Sequence, residues 1–244
     1  MRYAEVQITC IRRYAKELIG IPIFLATEVM PSDPIVERIL QGENVHLLRL
    51  LQEESDFLES RVAAMKYLTD YDVVLPLQED FWLDRRPDYK AIDEALEIMS
   101  SDKTVQSIRL MPSPGPHALD LRYKTMERWK ILSDKDTYLF TFQATLWKRE
   151  PYIEFLNRII DYGKTIFPRS GFDSWSKFCV KVNVAENANG QAICKTIHGS
   201  VHLSVIREHK GANAVFLSPW PYRPTAVVQG VLEPWAKEFM AREI

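Results

Sequence analysis

Asp72-Val73-Val74-Leu75-Pro76-Leu77-Gln78-Glu79-Asp80-Phe81-Trp82-Leu83-Asp84 decides how this chain is read. The apolar run Val73 to Leu77 reads as a buried strand, and it delivers two adjacent acids, Glu79 and Asp80, at its end. Open α/β sheets hold their ligands in the crevice beyond the carboxyl ends of their strands, so carboxylates at such a mouth mark a site. Two neighbouring carboxylates repel each other unless a divalent cation or a hydrogen-bond network neutralises them. The bland alternative is a solvated turn in which Asp80 merely caps the next segment.

Outward from this stretch the pattern alternates strands and helices, which points to an α/β fold with parallel pairing. Val6 to Cys10 reads as a first strand, followed by a short helix, Ile11 to Ile19, that stops at Gly20. Ile21 to Ala26 and Val45 to Leu51 read as strands flanking a short helix, Ile35 to Leu40. Ser55 or Asp56 can cap a helix to about Thr69, with Phe57, Leu58, Val62, Met65 and Leu68 at helical spacing. A second amphipathic helix is expected from Asp88 to Ser100, burying Ile92, Ala95, Leu96 and Met99, and Val105 to Met111 returns to the sheet.

Three prolines in Pro112-Ser113-Pro114-Gly115-Pro116 rule out regular structure there. Leu139 to Trp147 alternates as a strand does, and Pro151 suits the first turn of a helix to Ile160. A further helix is expected near Asp173, with Trp175, Phe178, Cys179 and Val182 on one face. Ile193 to Ile206 and Pro224 to Val231 read as edge strands and extended coil.

The 244 residues suffice for one large α/β domain, and a hydrophobic fraction of 46% with 26% charged residues is that of an ordinary globular chain. A net charge of −2 provides no general attraction for nucleic acid or anionic membrane, so an anionic ligand needs a local site. Cys10, Cys179 and Cys194 are odd in number and form no CxxC pair, which points to a reducing, cytoplasmic setting. No apolar run reaches the length of a membrane span, leaving only peripheral association through a partner or lipid-linked substrate.

Arg61 lies on the capped helix nineteen positions before Asp80. With the strand Val73 to Leu77 and Gln78-Glu79-Asp80, it resembles the metal-dependent nucleotide-sugar glycosyltransferases of the GT-A type. In these, an Arg-bearing helix precedes a strand ending in a DxD or DxDD motif. The likeness extends to bacterial and viral sequences that carry QDD-F-L after the strand and, further on, F-x-x-Q-x-x-x-W-x-R-E. Here these are Gln78-Glu79-Asp80-Phe81-Trp82-Leu83 and Phe140-Thr141-Phe142-Gln143-Ala144-Thr145-Leu146-Trp147-Lys148-Arg149-Glu150.

The resemblance implies a Rossmann-like GT-A fold with a mostly parallel central sheet, as one domain over residues 1–244. Residues 1–111 would form the nucleotide-binding half and 112–244 the acceptor-binding half. It implies that Cys10, Arg12 and Arg13 border the nucleobase and ribose. Glu79 and Asp80 would meet the donor diphosphate through Mn²⁺ or Mg²⁺, and Arg61 would contact or orient it. Gln143 and Trp147 would border the sugar and a glycan or lipid-linked acceptor, with Asp173 as general base. Leu77 stands where a full DxDD motif has its first Asp, which leaves a one-carboxylate, water-rich or metal-independent site open.

Each residue also has a purely structural reading. Arg61 suits a helix-surface pair with Glu54 or Glu59, Asp173 a plain N-cap, and Gln143 and Trp147 packing across a sheet. Arg12 and Arg13 suit an exposed helix start. His198 and His202 are four apart, but Gly199 between them argues against a shared zinc. Two other functions fit the same α/β frame. A sugar nucleotidyltransferase would need a Gly-rich phosphate loop, which Thr9-Cys10-Ile11-Arg12-Arg13-Tyr14 lacks. A non-catalytic nucleotide- or sugar-binding module is favoured by Leu77.

Overall fold

Val73 and Val74 form the strand β3 and pair antiparallel with β6, Thr145–Lys148, joining Val74 to Trp147. The computed structural model describes residues 2–27, 34–50, 57–111, 128–132, 142–166, 201–205, 218–223, 226–228 and 230–243. Around β3 the described chain is mixed α/β. The remaining strands are β1 Ile23–Thr27, β2 Val45–Arg49, β4 Val105–Arg109, β5 Trp129–Ile131, β7 Val201–Val205, β8 Val227–Val228 and β9 Val231–Leu232. The helices are α1 Arg2–Tyr14, α2 Pro34–Leu40, α3 Phe57–Tyr67, α4 Tyr89–Ser101, α5 Arg149–Ile166 and α6 Pro234–Glu243, the label α6 denoting the C-terminal helix.

The larger sheet has the order β3-β6-β4-β7-β5, and β1 and β2 form a separate parallel pair. Only β4 and β7 run parallel in the larger sheet, whereas β3 with β6, β4 with β6 and β5 with β7 are antiparallel. The described sheet is therefore mixed, where a mostly parallel one was expected. The alternation along β3 sorts the layers. Val73 and Leu75 pack with residues of α1, α4 and α6, while Val74 packs with residues of α3 and α5. Helices on both faces explain why Leu146 and Trp147, neighbours on β6, are both buried.

The expected first strand, Val6 to Cys10, is instead the middle of α1. Its apparent period-2 pattern arises because the helix is buried on two sides. Val6 and Cys10, one turn apart, face the core under α6, while Ile8 faces Ile39 of α2 and Val45 of β2. Packing on both sides outweighs the weak strand preference of Val, Ile and Thr. The helix ends at Tyr14 with Arg12 and Arg13 in its last turn, where cations oppose the helix dipole, and Lys16–Leu18 follows as a 3₁₀ turn.

Other expectations match closely. Asp88 caps α4 by accepting the Ala91 N–H at 3.1 Å, and Ile92, Ala95 and Met99 are buried as the spacing requires. Leu96 is the exception: it is 38% exposed, because the buried stripe centres on Ala91 and Ala95. On α3 the expected face Leu58, Val62, Met65 is buried, and Leu68 just beyond it closes the same cluster. Pro151 lies in the first turn of α5, which continues to Ile166. The expected helix near Asp173 lies outside the described residues.

The two chain ends are tied together. Arg13 pairs with the Glu243 carboxylate and also donates to the Glu243 carbonyl at 3.1 Å, while the Tyr14 hydroxyl donates to Glu243 Oε1 at 3.1 Å. Burial alone would raise the Glu243 carboxyl, but hydrogen bonds from Arg242 and Tyr14 and the charges of Arg13 and Arg242 hold it below its ordinary value. A depressed carboxyl stabilises the fold above its unfolded pKa, and the contribution is lost as pH falls through the folded value. Glu243→Gln is expected to cost about 1–3 kcal/mol at neutral pH. In urea titrations across pH, the gap to wild type should close below about pH 4.

Candidate functional site

The residues after β3 are pinned by aromatic packing. Phe81, Trp82 and Leu83 are all buried. The Trp82 ring stacks on Phe239 at 5.9 Å, meets Trp235 edge-on at 6.1 Å, and its indole N–H donates to the Glu79 carbonyl at 2.8 Å. Phe81 stacks on Tyr222 with centroids 4.8 Å apart. The segment 218–223 straps over this turn: Leu83 bridges Tyr222, and the Asp88 N–H donates to the Pro219 carbonyl at 3.0 Å. Asp84 receives Arg85 at 3.0 Å and Arg223 at 3.5 Å.

This anchorage sends the two acids different ways. Glu79 is exposed and lines a large cleft together with Arg12 and Arg61. Asp80 is only 8% exposed, and its backbone carbonyl accepts the Ala226 N–H at 3.1 Å. Burial, and secondarily the charge of Glu79, push the Asp80 carboxyl up to about 6, while the N–H groups of Asp80 and Val227 draw it back. A carboxylate raised this far attracts a proton or a metal cation.

Arg61, Gln143 and Trp147 come together in the structure. They line one small pocket with Leu77, Gln78 and Tyr152. The Arg61 guanidinium lies over the Phe142 ring at 5.1 Å and hydrogen-bonds the Tyr152 hydroxyl. Burial nonetheless pushes that phenol up to about 12. Gln143 accepts a hydrogen bond from the Tyr222 hydroxyl, which itself accepts the Ala144 N–H at 3.3 Å. Trp147 is a core residue as well as a pocket wall, since it stacks on Phe155 at 5.8 Å and leans on Tyr152 at 5.2 Å.

Cys10 and Arg13 lie elsewhere. Cys10 is fully buried in the core, and burial, then Glu243, pushes its thiol up to about 12, which makes it an apolar filler. Arg13 is engaged by Glu243. Arg12 differs: its Nε and Nη2 atoms are buried without a hydrogen-bond partner among the described residues. Asp173 lies outside the described residues.

Sequence reading missed Tyr222 and Tyr152. Tyr222 reaches Gln143 across 79 positions, and no local pattern announces such a contact. The hint for Tyr152 is its place one turn from Phe155 and Leu156 on α5, which makes it part of a buried stripe.

Carboxylate oxygens suit a hard divalent cation, but of the two acids only Glu79 lines the cleft, while Asp80 is turned inward behind it. No group of three or more metal-ligating side chains occurs among the described residues. No described helix is long and apolar enough to cross a membrane. No protein-family model matches the chain, and a search of curated proteins returned no match.

The Asp80 shift has a definite sign. A raised folded pKa means that the neutral acid is favoured by the fold, so its stabilisation is complete below the unfolded pKa and is lost as pH rises through the folded value. Asp80→Asn, which mimics the neutral form, is expected to be more stable than wild type by on the order of 2 kcal/mol above about pH 6, and equal to it below about pH 4. Chemical denaturation at a series of pH values measures this difference, and an Asp80 resonance titrating near 4 would remove its basis.

Proposed function

We propose that this chain is a GT-A-type glycosyltransferase that moves a sugar from a nucleotide-diphosphate donor to a hydroxyl of a glycan or lipid-linked acceptor. The observation that carries the reading is the end of β3. There Glu79 opens to a cleft shared with Arg12 and Arg61, and Asp80 sits beside it with a carboxyl raised to about 6. Cationic and carboxylate groups around one opening suit a diphosphate and the cation that accompanies it.

In this reading Glu79 at the cleft, with Asp80 behind it, would hold Mg²⁺ or Mn²⁺, whose charge would screen the diphosphate. Arg61 faces the diphosphate as its bond to the anomeric carbon breaks, and its contact with Tyr152 and Phe142 keeps the guanidinium in one orientation. Gln143, fixed by Tyr222, and Trp147 border the sugar. The acceptor oxygen attacks the anomeric carbon, the nucleotide leaves with the bonding electrons, and Asp173 accepts the hydroxyl proton.

UDP, GDP or dTDP with Mn²⁺ is expected to raise the melting temperature, and Asp80→Ala to abolish the rise. A screen of nucleotide sugars should then show release of the nucleoside diphosphate. No shift with any nucleotide, with or without metal, would sink the reading. A shift without turnover would make the chain a binding module.

A further inference from the structure

Gln143 stands just before β6, and its side chain meets Tyr222 across 79 positions of chain. Tyr222 is completely buried and held from two directions. Its ring stacks on Phe81 with centroids 4.8 Å apart, and its backbone bridges Leu83. The phenolic oxygen is thereby fixed between the acid turn and the residues that lead into β6.

Hydrogen-bond counting at that oxygen decides which way round the Gln143 amide lies. A backbone N–H can only donate, so the Ala144 N–H, 3.3 Å from the Tyr222 hydroxyl, makes the oxygen an acceptor. A phenol has one proton, and this one goes to Gln143. Burial pushes the phenol far above its ordinary value, against the pull of the Ala144 N–H, so the proton stays on the oxygen at neutral pH. Only the carbonyl side of a carboxamide can receive it, because the NH₂ side has no lone pair to offer. Oε1 of Gln143 therefore faces Tyr222, and Nε2 with its two N–H groups lies on the other side of the amide.

Tyr222 is not among the residues that line the small pocket beside β3, where Gln143 stands with Arg61, Leu77, Gln78, Thr145 and Trp147. An oxygen turned to Tyr222 is turned away from that pocket, and the amide edge left to face it is Nε2. The Thr145 hydroxyl donates to the Gln143 main-chain carbonyl at 2.9 Å and holds the backbone from which the amide springs. The two orientations of a carboxamide have the same shape and opposite chemistry, so an internal partner has to choose between them. We infer that Tyr222 is a positioning residue that sets the polarity of Gln143, so that Gln143 meets the transferred sugar as an N–H donor to one of its oxygens and not as an acceptor of its hydroxyl protons. The sugar's identity as the ligand rests on the transfer reading, whereas the polarity rests on the Tyr222 contact alone. Arg61 stays with the diphosphate. Because the same ring packs on Phe81, beside Asp80, one strap sets the acid turn and the amide together.

Nuclear magnetic resonance of the Gln143 carboxamide reads the polarity, its signals being assigned by their loss in Gln143→Met. In Tyr222→Phe, which keeps the stack on Phe81 and removes the hydroxyl, the side-chain carbonyl carbon should move upfield while the side-chain amide protons move little. UDP-glucose, GDP-mannose and dTDP-glucose are then compared with UDP, GDP and dTDP, all with Mg²⁺. In the pair that binds, the sugar-bearing member should move a Gln143 amide proton downfield where the bare diphosphate does not. Its advantage in affinity over the bare diphosphate should fall about fivefold or more in Tyr222→Phe. Amide protons that respond to Tyr222→Phe in place of the carbon would mean that the amide lies the other way round, and would overturn the inference. So would a sugar nucleotide that binds and leaves the amide protons unmoved, or an advantage unchanged in Tyr222→Phe. If Tyr222→Phe does not fold, the wild-type comparison of sugar-bearing and bare nucleotides decides. Failure of every nucleotide to bind is a different result: it removes the transfer reading and the sugar with it, while the carbon shift in Tyr222→Phe upholds or removes the polarity by itself.

Discussion

The insertion of Trp82 between the β3 terminus and α6 is the contact on which the site depends. The ring is fully buried against Phe239 and Trp235, and its only polar atom binds the Glu79 carbonyl. One side chain thus sets both the path of the backbone and the position of the acids. The chain turns at this point, where the Phe81 N–H donates to the Gln78 carbonyl at 3.2 Å, and in the anchored turn Glu79 is exposed while Asp80 is buried. The buried acid accepts a raised pKa as the consequence, and the strap 218–223 encloses it by stacking Tyr222 on Phe81.

This geometry separates what the sequence could tell from what it could not. The helix cap at Asp88, the stripe Leu58-Val62-Met65 and the start of α5 at Pro151 follow from local chemistry, and they lie where spacing puts them. The meeting of Arg61, Gln143 and Trp147 in one small pocket joins segments some eighty positions apart, and no local pattern announces it. Val6 to Cys10 misleads because a helix buried on two sides carries apolar residues at nearly every second position. Glu79 and Asp80 read as an equivalent pair in sequence, but their difference in burial is created by the anchoring of nearby Trp82 and by Tyr222 and the 226–227 backbone, which are distant in the chain.

The mixed sheet has a similar origin. Strand direction is set by which segments meet, and a strand such as β6, buried by α5 residues on one face and by the α1 and α4 core on the other, carries the same apolar code whether it runs up or down. Periodicity reports burial on one face or two; it does not report direction.

The cleft between β1 and β3 bears on the life of the chain before any ligand arrives. Among the described residues β1 pairs only with β2 and β3 only with β6, and strand edges beside apolar side chains such as Phe24 and Leu75 are templates for indiscriminate pairing unless they are covered. Whatever covers those edges therefore serves two ends at once, closing the sheet and keeping one copy of the chain from pairing with another.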